Sequence, residues 1–189
     1  MKMLIAHALE DEKGNIHFPG HQVSFCCTGM GKVQAGLAVE EAVLTRKPDL
    51  VLNIGSCGAL HFAIGDILMC TRFIDRDLLK VAIPGICSEL MFTDDIRKAG
   101  LFPGQDIHYT VSTGDSFVTA EAEMGPFADV IDMEAFAIAC ACQRHGIPFV
   151  AIKYVTDIIG KNSVKAWTEK LASSRSGLEA FLQSIQIET

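Results

Sequence analysis

No run of basic residues occurs anywhere in the chain, and 23 acidic side chains against 16 basic ones give a formal charge of -7. Without a Lys/Arg cluster to neutralise phosphates, nucleic acid is not an expected partner. No apolar stretch approaches the roughly 20 residues needed to span a bilayer, so no membrane partner is expected either. The start, from Met1 to Leu9, is apolar only briefly and runs into Glu10-Asp11-Glu12. With no small-residue cleavage site, it reads as a first strand and not as a signal peptide. The seven cysteines (26, 27, 57, 70, 87, 140 and 142) are odd in number and contain no CxxC and no paired Cys/His spacing. The expectation is reduced thiols in a cytoplasmic protein, with no metal site and no disulfide framework. Tryptophan is nearly absent, with Trp167 alone. There is no internal repeat, low-complexity stretch or linker, and 189 residues suit one domain spanning 1–189.

A dinucleotide-binding reading also fails. The turn Thr28-Gly-Met-Gly-Lys32 offers Gly29-x-Gly31-x-x-Gln34, without the third glycine of the fingerprint, and Asp49 precedes its strand when it should end one. Those glycines instead allow a tight turn and let the Met30 backbone approach a ligand. No cofactor is expected.

What the chain does contain is a repeating grammar. Strand-like runs lie at Lys2–Ala8, Val23–Thr28, Leu50–Gly55, Asp66–Ile74, His108–Thr113 and Phe149–Thr156. Helical patterns cover Lys32–Arg46, Met133–His145 and Lys165–Ile187, with a short helix starting near Thr93 in the irregular stretch Val81–Gly104. Strands interleaved with helices predict an α/β fold, a single domain with a mixed, mostly parallel central sheet flanked by helices.

Polar chemistry falls at the strand ends. Glu10-Asp-Glu12 follows the first strand, Gly55-Ser-Cys-Gly58 the third, Thr113-Gly-Asp-Ser-Phe117 the fifth and Asp157 the last. If those strands are parallel, their ends converge on one rim, where open α/β sheets bind ligands. Carboxylates and a hydroxyl there suit acid/base work on a small molecule. Glu134 stands in the first turn of a helix that is otherwise apolar from Met133 to Cys142. A buried carboxylate is costly unless paired or liganded, so Glu134 is a candidate acceptor for ligand hydroxyls, while Asp132 better fits the helix cap. Trp167 opens the last helix, and core packing is its default role.

Six ordered segments carry a resemblance: Gly29-Met-Gly-Lys32, Pro48-Asp-Leu-Val-Leu-Asn-Ile-Gly-Ser-Cys-Gly58, Gly65-Asp-Ile-Leu68, Ser112-Thr-Gly-Asp-Ser-Phe117, Asp132-Met-Glu-Ala135 and Val155-Thr-Asp157. They resemble the purine nucleoside phosphorylase superfamily, and within it the 5'-methylthioadenosine/S-adenosylhomocysteine nucleosidases. The resemblance implies a nucleoside phosphorylase-like fold and hydrolysis of an N-glycosidic bond in a nucleoside substrate. Asp157 matches the acid at purine N7, with Thr156 in the place of its usual Ser neighbour. Glu134 matches the glutamate that holds the ribose hydroxyls, with Met133 under the sugar. Glu12 matches the base that activates water, supported by Ser56. Phe117 and Val118 match the backbone that reads the adenine edge. Leu9, Met30, Trp167 and, from a partner subunit, Leu78 and Val81 match the apolar lining, which implies a homodimer. Lys153 stands where many relatives carry an arginine that orients the base.

Asn53-Ile54-Gly55 stands where hexameric phosphorylases carry a phosphate-gripping arginine, and an acid cluster follows the first strand, so hydrolysis is favoured over phosphorolysis. Futalosine hydrolase and a phosphate-dependent phosphorylase are the alternatives. The chain is short after Glu12 and between Ile83 and Tyr109 relative to that family.

Overall fold

In sequence order the chain forms β1 (Lys2–His7), β2 (Gln22–Cys27), α1 (Lys32–Arg46), β3 (Leu50–Ala59), β4 (Ile67–Asp75), β5 (Glu89–Met91), α2 (Thr93–Lys98), β6 (Tyr109–Thr113), β7 (Val130–Asp132), α3 (Ala135–His145), β8 (Phe149–Ile158) and α4 (Val164–Ser184). Short 3-10 turns lie at Glu10–Glu12, Leu78–Val81 and Glu121–Glu123. This computed structural model describes residues 1–81, 83–161, 164–185 and 187, with the backbone alone for 164–169. Among the described residues no helix is long and apolar enough to cross a membrane.

The eight strands among the described residues belong to one sheet, ordered β2-β1-β3-β7-β6-β4-β5, with β8 pairing β3 and β4. One parallel set comprises β2, β1, β3 and β8. A second comprises β4, β6 and β7. The two sets meet antiparallel at β3–β7 and at β8–β4, so β3, β8, β4, β6 and β7 close into a ring. The fold is the mixed, mostly parallel α/β architecture expected.

The rim is not made as expected, however. β6 runs against β1, β3 and β8, so its end does not join theirs by being parallel. It reaches the same place because closure of the ring brings the two sets together end on: Ser112 and Thr113 pair with Ile131 and Asp132, and Ile131 pairs with Gly58 on β3.

β3 is longer than its apolar run suggested. Gly55–Gly58 is strand and not a turn after one, because β8 continues beside it to Ala59 and β7 covers its far edge. Its glycines answer to close neighbours: a Cβ at Gly58 would lie 2.9 Å from Asp157 Oδ2, and one at Gly55 3.2 Å from Glu12 Oε1. α1 and α2 start where expected, while α3 begins at Ala135, two residues after Met133.

The core is apolar along both sets. Leu4, Ile5, Leu50, Leu52, Phe73, Phe149 and Ile152 are wholly buried. The rings of Phe73 and Phe149 lie 4.7 Å apart, with Phe92 edge-on to both. This rigid centre fixes the strand ends that carry the polar groups.

Candidate active site

A cavity lined by both polar and apolar side chains opens at the junction of the two strand sets, the kind of concave site that takes a small-molecule ligand. Carboxylates from three separate elements reach it.

Glu12 closes the 3-10 turn after β1 and is 3% exposed. Its Oε2 accepts from the amides of Ala8 and Leu9, each at 3.2 Å. Its Oε1 accepts from the Ser56 amide and the Ser56 hydroxyl, each at 3.0 Å. The chain turning out of β1 thus satisfies its free amides with its own carboxylate and locks that carboxylate onto β3.

Glu134 stands just before α3 and is 7% exposed. Its Oε1 accepts from the Gly31 amide at 2.9 Å. Burial pushes its pKa up to about 7, helped by the neighbouring Asp132 charge and opposed by Lys153 and the Gly31 amide. Asp132 is the helix cap, as its sequence position suggested: its Oδ2 accepts from the Ala135 amide at 2.9 Å. It also accepts from Thr113 Oγ1 at 2.6 Å and from Lys153 Nζ at 2.8 Å.

Asp157 is the penultimate residue of β8. Burial raises its pKa above the ordinary carboxylate value, and the hydrogen bond from Thr156 partly offsets this. Thr156 Oγ1 lies 2.9 Å from Asp157 Oδ1 and 3.2 Å from the Cys57 carbonyl. Because one hydroxyl carries one proton, it serves these two acceptors alternately. A carboxyl that retains its proton more readily is what an acid near neutral pH requires.

The cavity brings together Glu12, Glu134, Asp157, Leu9, Met30, Ser56, Phe117, Val118, Met133 and Lys153. Thr156 stands behind Asp157, wholly buried, and does not line the space. Leu78 and Val81 also lie outside it: they sit in the 3-10 turn after β4, and Val81 is 44% exposed. The side chain of Trp167 falls outside the described residues.

Lys153 enters the cavity wall, but its ammonium is committed to Asp132, at 2.8 Å, and the side chain is 1% exposed. Its pKa stays above the ordinary lysine value: burial lowers it, and the charges of Asp132 and Glu134 more than restore it.

Sequence reasoning passed over Arg76, which also lines the cavity. Its guanidinium donates to the carbonyls of Ser112, Asp132, Gly114 and Ser116. Those acceptors come from two segments far from Arg76 in the chain, 112–116 and Asp132, so only the adjacent Asp75-Arg-Asp77 triplet hints that an arginine is held in place. Asn53 opens the Asn53-Ile54-Gly55 stretch that stands in place of the phosphorylases' arginine. It also reaches the wall, donating from Nδ2 to the Ala6 carbonyl at 3.1 Å. Among the described residues no cluster of His, Cys, Asp and Glu has the arrangement of a metal site.

A carboxylate-lined small-molecule cavity, set where two parallel strand sets meet in an α/β sheet, defines the class of protein. The model of the phosphorylase superfamily matches residues 12–185, and the chain belongs to that superfamily. It is 30% identical over 167 residues to a 5'-methylthioadenosine/S-adenosylhomocysteine nucleosidase of Bacillus cytotoxicus, covering 76% of this chain and 71% of that one. It is 29% identical over 188 residues to the enzyme of the same name from Buchnera aphidicola subsp. Acyrthosiphon pisum, covering 89% and 81%. Its fold matches the crystal structure of a nucleosidase of this kind from Colwellia psychrerythraea in complex with adenine. The TM-score there is 0.77 at 26% identity, over 96% of this chain and 93% of that one.

Proposed function

We propose that the protein is a purine nucleosidase that hydrolyses the N-glycosidic bond of a 5'-substituted adenosine of the methylthioadenosine/S-adenosylhomocysteine type. The observation that carries this reading is the convergence of Glu12, Glu134 and Asp157 on one cavity. The nucleosidase names of its relatives support the substrate class.

Breaking the bond sends an electron pair to the purine and builds positive charge on the ribose. Asp157, whose pKa burial raises above the ordinary carboxylate value, is the acid that gives its proton to purine N7. Glu134 accepts hydrogen bonds from the ribose hydroxyls, over Met133. Water attacks the anomeric carbon and loses its proton to Glu12, so one water adds across the bond and one proton passes from Asp157 to the base. Proton exchange with solvent then resets both carboxyls. Phe117 and Val118 flank the base, and Leu9 and Met30 the apolar side.

Water is favoured over phosphate as the nucleophile because, among the described residues, the two cations in the wall are already engaged. Lys153 is held by Asp132 and Arg76 by four carbonyls. An incoming dianion would meet carboxylates instead.

The 5'-side is completed by Leu78 and Val81 of a second copy in a homodimer. α1 offers an apolar stripe for that contact: Val33, Leu37 and Leu44 are 69%, 68% and 57% exposed at helical spacing. Leu37→Asp is expected to run as a monomer in sedimentation, and a dimer as stable as the wild type would remove this face from the interface. The cytoplasm is the compartment that fits the reading.

The test of function is base release from methylthioadenosine, S-adenosylhomocysteine, adenosine, inosine and futalosine, with and without phosphate. Release of adenine from the first two, independent of phosphate, is the expected result. Absolute dependence on phosphate would make the protein a phosphorylase, and release from futalosine alone would reassign the 5'-group.

A further inference from the structure

We propose that Arg76 is a positioning residue whose guanidinium sets the backbone of the Gly114–Val118 segment, the wall that the nucleosidase reading assigns to the base. Arg76 follows β4 directly and is 2% exposed. Nη1 donates to Ser112 O at 2.8 Å and Asp132 O at 3.0 Å. Nη2 donates to Gly114 O at 2.8 Å and Ser116 O at 2.5 Å. A planar fork is the side chain that can hold several carbonyls in fixed relative positions, which a flexible ammonium cannot do. The segment lies hard against it: a Cβ on Gly114 would come within 2.7 Å of Arg76 Nε. Glycine is therefore required where loop and guanidinium meet.

The two flanking aspartates extend the same clamp. Lys32 Nζ lies 3.1 Å from Asp75 and 2.8 Å from Asp77. The Lys32 amide donates to Asp115 Oδ1 at 2.8 Å, and the Asp115 amide to Asp77 Oδ2 at 3.4 Å. The amide of Gly31, the preceding residue, is the donor to Glu134. Residues 75–77 therefore tie the base-side segment, from within and from without, to the turn that orients the ribose carboxylate. Fixing a binding backbone before the ligand arrives removes an ordering cost from binding.

The test compares the wild type with Arg76→Lys, which keeps the charge and loses the fork, and Gly114→Ala, which strains the same contact from the loop side. Amide hydrogen exchange is measured across the chain, with KM and kcat for methylthioadenosine and Kd for adenine. Faster exchange confined to residues 114–118 is expected in both variants, with KM and the adenine Kd raised about tenfold and kcat changed less. Wild-type exchange at 114–118 in both variants would overturn the proposal. So would a general loss of protection with KM and adenine Kd unchanged, the signature of a merely structural arginine. A wild-type protein that neither binds adenine nor releases base contradicts the nucleosidase reading instead, and the exchange data alone then decide the clamp.

Discussion

Glu12 and Glu134 are almost equally buried, at 3% and 7% exposure, but their surroundings differ. Glu12 accepts from the amides of Ala8, Leu9 and Ser56 and from the Ser56 hydroxyl. Glu134, among the described residues, accepts from the Gly31 amide alone. Four donors fill roughly the lone-pair directions a carboxylate offers, so Glu12 is fixed in place by the fold. Glu134 is left with unused acceptor capacity at a buried position, and its pKa rises to about 7. In the proposed mechanism that difference separates a base held ready to act from an acceptor for the ligand's hydroxyls. It also specifies how Glu12 can act. To take a proton from water it must release a donor, and the Ser56 hydroxyl is the one that can rotate away.

The most damaging test of this contrast is Glu12→Gln. Turnover of methylthioadenosine is expected to fall by about 10³-fold with affinity little changed, the loss typical of a missing general base. A rate within a few fold of wild type would return Glu12 to a purely structural role.

Glu134→Gln should separate stability from function. The group's pKa is raised above its unfolded value of about 4.3, so the folded state holds the proton more tightly. Its contribution to stability is therefore present at low pH and lost as pH rises through about 7. Above that pH the ionised side chain opposes folding, by an amount on the order of 3 kcal/mol at most. The variant is expected to melt several degrees higher at pH 8, yet to lose about 10²-fold in kcat/KM. In the wild type, kcat/KM should decline on the acid side of about 7, where Glu134 takes up its proton. A variant that melts lower at pH 8 would show that the carboxylate is satisfied without a ligand.

Ser56→Ala makes the smallest change. Removing the rotatable donor should cost about tenfold in kcat with the fold intact. Unchanged kcat would mean that the hydroxyl takes no part in admitting water to Glu12.

Much of this site could be read in the sequence because its residues stand where strands end. Asp157 after a buried run, Glu12 after the first strand and Glu134 within a stretch otherwise apolar from Met133 to Cys142 are each anomalous in their local pattern. β7, with three residues, is too short to show a period, and without it the meeting of the two strand sets could not be foreseen. Gly55–Gly58 resembled a turn, since the carboxylates that demand glycine there come from residues far away in the chain. Arg76 was missed for a related reason: its partners are backbone carbonyls, which any sequence supplies.

The central claim is that Asp157 delivers the proton that lets the purine leave, with water as the nucleophile. The most direct test is adenine release from methylthioadenosine in phosphate-free buffer, with the wild type and Asp157→Asn side by side and binding measured in parallel. The account predicts release by the wild type, and near-wild-type binding with release reduced about 10³-fold in the variant. Equal release by both proteins would contradict it.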